Sequence, residues 1–83
     1  MHLYAAFLGG PIAGGRMGED HEVVFVVAED GPAAKSAAKA KWGGTGRCHV
    51  DAVQRVDMVD GYSVRLDATG GSATDVTLLD NYN

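Results

Sequence analysis

The sequence predicts an α+β fold of two layers: one alanine-rich helix packed on a mixed sheet, in the order β-β-α-β-β-β. Three observations lead there. Residues 22–28, Glu-Val-Val-Phe-Val-Val-Ala, form an apolar run of strand length. Residues 33–42 hold five alanines and no glycine or proline, a composition that favours helix. From Cys48 onward apolar and polar residues alternate, interrupted by the turn pair Asp60-Gly61.

Taken in order, Leu3 to Leu8 is short, apolar and aromatic, and reads as a strand that stops at Gly9-Gly10-Pro11. The glycine-rich stretch from Gly9 to Asp20 reads as a loop. The strand from Glu22 to Ala28 carries apolar residues on both faces, so it is expected to be central and covered twice. Asp30-Gly31-Pro32 is a helix start, because aspartate suits the positive end and proline the first turn. Ala34, Ala38 and Trp42 then fall on one slim apolar stripe. Lys39 and Lys41 suit the negative end, and Gly43-Gly44 stops the helix.

The next strand, Cys48 to Met58, separates Cys48, Val50, Ala52, Gln54, Val56 and Met58 from His49, Asp51, Val53, Arg55 and Asp57. The first set is expected to face a core. Keeping the apolar faces together favours a three-residue loop, Val59-Asp60-Gly61, which pairs Met58 with Tyr62 and Val56 with Val64. Thr74 to Leu79 reads as a last, weaker strand.

The chain has 83 residues, so residues 1–83 are read as a single domain. Its large apolar residues are few and its alanines many, which predicts a marginal core and a tendency to self-associate. A net charge of −4 without a basic cluster argues against nucleic acid or an anionic membrane as partner. One cysteine, Cys48, cannot form an internal disulfide and fits a reducing compartment. The run after Met1 lacks a basic n-region and is too short to span a bilayer. A soluble cytoplasmic protein is the expectation.

The first two strands are expected to be antiparallel neighbours. The helix then serves as a crossover that makes the second and third strands parallel. That topology gathers His21, Cys48, His49 and Asp51 at one edge of the sheet, beside the glycine-rich loop.

Leu8-Gly9-Gly10, Glu19-Asp20-His21 running into Val-Val-Phe-Val-Val, Trp42, His49-x-Asp51 and Asp60-Gly61-Tyr62 together resemble the DUF1543 family of small bacterial proteins. The resemblance spans roughly residues 3 to 67. It departs at Glu22, where the family pattern has aspartate after the histidine. It implies a fold and brings no activity, cofactor or catalytic residue.

Five features carry candidate chemistry. No cofactor is expected; the one candidate is a divalent transition metal, which His21, His49 and Asp51, with Glu19 or Asp20 nearby, would suit. Lacking a tight ligand motif, the two histidines read first as strand-end caps paired with carboxylates. The Gly9–Gly18 loop with Arg16 has backbone N–H groups for an anion but no P-loop lysine. Arg55 opposite Arg65, offset by Asp57 and Asp67, is a checkerboard of charges or a small anion site. Cys48 reads as a buried, inert thiol, and Trp42 as core. Finally, one helix covers one sheet face, so the apolar second face marks an interface unless a C-terminal segment through Leu78, Leu79 and Tyr82 covers it. The function expected is therefore a non-catalytic binding or assembly module acting as a homodimer. The alternative is a metal-binding protein or metal-dependent hydrolase using His21, His49 and Asp51.

Overall fold

The computed structural model describes residues 1–12, 14 and 17–70. The strand expected at Thr74–Leu79 lies outside the described residues, as does Arg16. The elements are β1 (His2–Pro11), β2 (Glu19–Ala28), α1 (Gly31–Ala40), β3 (His49–Arg55), β4 (Met58–Val59) and β5 (Tyr62–Ser63). Strands β1 to β3 form one sheet in the order β2-β1-β3, and β4 and β5 form a separate hairpin. The class is α+β, as expected.

Every pairing is antiparallel. Both β2 and β3 run against β1, so they are parallel to one another in direction, as the crossover required, but β1 lies between them. The expectation that β2 is central is therefore corrected. Strands sit about 4.8 Å apart and a helix is about 10 Å wide. A helical crossover thus spans two strand spacings and leaves room for a middle strand.

β1 also runs further than its sequence implies. Gly9, Gly10 and Pro11 continue the strand, paired with His21, Asp20 and Glu19. The glycines are buried strand residues, not the start of a loop. Gly10 meets a packing requirement: a Cβ there would lie 2.6 Å from Cζ2 of Trp42.

Helix α1 starts where Asp30 accepts a hydrogen bond from the Ala33 N–H at 2.9 Å. Such a cap contributes about 1 kcal/mol. The helix places Ala34 and Ala38 fully against the sheet, and Trp42 packs beside them just past its end. Among the described residues the core comprises Tyr4, Ala6, Leu8, Val26, Ala28, Ala34 and Ala38. Four of these are alanine, and among the described residues Leu8 is the largest side chain that is fully buried.

Two registers differ from expectation. In β3, Phe7 pairs with Ala52 while Leu8 pairs with Val50, which leaves Asp51 as an unpaired bulge residue. The bulge reverses the alternation: Val50 and Val53 pack on the core, while Ala52 and Gln54 are exposed. In the hairpin, Met58 pairs with Ser63 and Val59 with Tyr62, so the loop is the two-residue Asp60-Gly61 turn. The φ angles there are 52° and 84°. Both central residues are left-handed, which matches the twist of the flanking strands. The three-residue loop assumed that this hairpin continues the core sheet. It does not: β3 ends at Arg55, and β4 and β5 project with every residue exposed, so no buried face selects the register.

Candidate functional site

The pleat of the sheet sends alternate side chains to opposite sides. On one side Tyr4, Ala6, Leu8, Val26 and Ala28 meet the helix. On the other side no element covers the sheet among the described residues. Phe7 is 39% exposed there, Val23 and Phe25 are each 54% exposed, and Val27 is 47% exposed. Cross-strand pairing sets these residues in rows: Leu3 opposite Val27, Ala5 opposite Phe25 and Phe7 opposite Val23. Large apolar side chains thus stand on the open face as well as against the helix.

The next row along this face is polar. Gly9 pairs with His21 on one side and His49 on the other, so a glycine separates two histidines across three strands. A Cβ at Gly9 would lie 2.8 Å from Nε2 of His49. The missing side chain lets that imidazole lean over the central strand. Glu19, two residues before His21, reaches both rings: Oε2 lies 3.5 Å from Nε2 of His21, and Oε1 lies 3.6 Å from Nε2 of His49. Asp51 Oδ1 lies 3.0 Å from the same His49 nitrogen. The bulge at Asp51 keeps its carboxylate on the open side, with His49.

The structure therefore brings His21, His49 and Asp51 to one place, as the crossover argument required, and adds Glu19 rather than Asp20 as the link. Cys48 does not join them, because it packs on the helix side. The contacts run as a chain, His21–Glu19–His49–Asp51, instead of closing on one centre. Among the described residues no group of three or more His, Cys, Asp or Glu side chains is arranged to hold a metal ion. All four side chains are about half exposed or more, so their ion pairs contribute little to stability.

Of the remaining candidates, Arg16 lies outside the described residues. Arg55 does not face Arg65 as expected: its Nε donates to Asp57 Oδ1 at 2.9 Å. Trp42 packs against the core, as read from the helix stripe, and its Nε1 donates to the Thr45 carbonyl at 3.4 Å. Glu22 faces the helix side and accepts from the Gly43 N–H at 3.0 Å, tying the helix exit to β2. Lys41 reaches β2 as well, with Nζ 2.6 Å from the Phe25 carbonyl.

The model of the family described as Domain of Unknown Function (DUF1543) matches residues 16–66, more than half of the chain. The chain belongs to the DUF1543 family. The match contains β2, α1, β3 and the hairpin, and with them Glu19, His21, His49 and Asp51. Gly9, the residue over which that cluster meets, lies before the region matched to DUF1543. No curated protein and no solved structure matches the chain. No helix among the described residues of this DUF1543 protein is long and apolar enough to cross a membrane.

Proposed function

We propose that this chain is a non-catalytic assembly module that works as a homodimer, with the open face of the sheet as its interface. The observation that carries the reading is the row of large apolar side chains left exposed on the face away from the helix. Phe7, Val23, Phe25 and Val27 stand about half exposed on that face, with no element over them among the described residues. Covering those four side chains removes roughly 1 kcal/mol of unfavourable hydration each. A second copy supplies a face of the same shape and chemistry, as a two-fold interface requires. Pairing through the outer edge of β2 is less available, because the Lys41 ammonium already occupies the Phe25 carbonyl. An isotope-filtered NOE experiment on mixed labelled and unlabelled chains tests this arrangement. Intermolecular contacts between the methyls of Val23 and Val27 and the rings of Phe7 and Phe25 are expected. Contacts confined to the helix or the hairpin would overturn it.

A second reading, divalent-metal binding or metal-dependent hydrolysis through His21, His49 and Asp51, draws on the contacts that Glu19 makes to both imidazoles. A zinc titration followed by histidine ring resonances separates the two readings. Independent or absent responses of His21 and His49 leave the cluster as a polar border to the interface. A joint, saturable response at one equivalent would establish the metal reading in its place.

A further inference from the structure

A cleft opens on the helix side of the sheet, away from the apolar face and the histidine cluster. It is lined by Lys39, Trp42, Gly46, Arg47 and Cys48 and has a volume of about 420 Å³. That volume lies in the range of small-molecule sites, about 300–1,000 Å³.

The indole that walls this cleft is held in place by glycine. A Cβ at Gly44 would lie 2.2 Å from the Trp42 ring, and one at Gly10 would lie 2.6 Å from it. A side chain at either glycine would collide with the ring. Its Nε1–H is engaged by the Thr45 carbonyl, so its polar atom is turned to the loop. Cys48 packs on the core beside it and adds a half-buried, polarisable wall.

Among the described residues, both charged groups at the cleft are cations, and no carboxylate lines it. Lys39 comes from the last turn of α1, and Arg47 from the loop before β3. Neither has an ion-pair partner among the described residues, in a chain whose net charge is −4. The contrast with Arg55, which is paired to Asp57, is informative. Two unpaired cations around a fixed aromatic ring suit a flat ring that bears a negative group. The ring of such a ligand packs on Trp42 and its anionic group meets Arg47 and Lys39, arginine offering two parallel donors.

We propose that this cleft binds a small aromatic anion, a carboxylate or phosphate carried on a planar ring. The site does not depend on the dimer, because the sheet separates it from the open face. The test is an NMR titration of the full chain with phenyl phosphate and with benzoate, read at the indole N–H of Trp42, the only tryptophan. Saturable shifts of that resonance and of the Lys39, Arg47 and Cys48 amides are expected at millimolar ligand. Arg47→Gln and Lys39→Gln, both at exposed positions, are each expected to weaken binding about tenfold. An equal response to benzyl alcohol would overturn the role of the cations. An equal response to inorganic phosphate would overturn the role of the ring. No response of the Trp42 indole to any of these probes would remove the site altogether.

Discussion

Leu8→Ala is expected to lower the unfolding free energy by about 2–5 kcal/mol, measured by urea denaturation at fixed protein concentration. Leu8 is 1% exposed and is the largest fully buried side chain in the described chain. Truncation leaves a cavity among residues that cannot fill it. Ala6, Ala34 and Ala38 have no rotamers to move, and Tyr4 and Val26 are already committed to the same layer. A small domain has only about 5–15 kcal/mol of stability in total, so this one change consumes much of it. A loss below about 1 kcal/mol would show that the helix does not seat on this face as described, since even small core truncations cost that much. Fixed concentration is required because self-association adds its own stabilisation by mass action.

Phe25→Glu is expected to abolish self-association while leaving the fold intact. Phe25 is 54% exposed in the isolated chain, so a carboxylate there reaches water. In the dimer it would be covered, and two-fold symmetry places two unpaired charges in the interface. Burying an unpaired charge costs several kcal/mol, which weakens association by at least about a hundredfold. Lys35→Glu, on the exposed side of α1, is the matched control and is expected to dimerise as the parent does. A Phe25→Glu chain that associates like the parent would show that the open face is covered in another way.

Much of this architecture was legible in the sequence, and the exceptions share a cause. The Asp30 cap, the alanine stripe and the apolar run before Ala28 are local signals, and each formed the element it predicts. The convergence of His21 with His49 followed from chain direction alone, because a crossover fixes which strand ends meet. Non-local events decided what was missed. Gly9-Gly10 reads as a break in isolation, yet both residues pair with β2, Gly9 also pairs with β3, and together they make room for His49 and Trp42. The bulge at Asp51 is set by the partner strand, so no periodicity within β3 reveals it. The two-sided apolar character of β2 suggested burial between two layers of one chain. Among the described residues it is an edge strand with one face open. The cleft beside Trp42 joins the helix end to a loop and had no sequence motif to announce it.

The apolar open face of the β2-β1-β3 sheet as a homodimer interface is tested most directly by the mass of the full chain in solution. Sedimentation equilibrium across a micromolar to millimolar range is expected to show a concentration-dependent rise from one chain of 8.6 kDa to twice that mass, absent in the Phe25→Glu variant. A single species at 8.6 kDa throughout would contradict the homodimer and leave the open face to residues of its own chain or to a different partner.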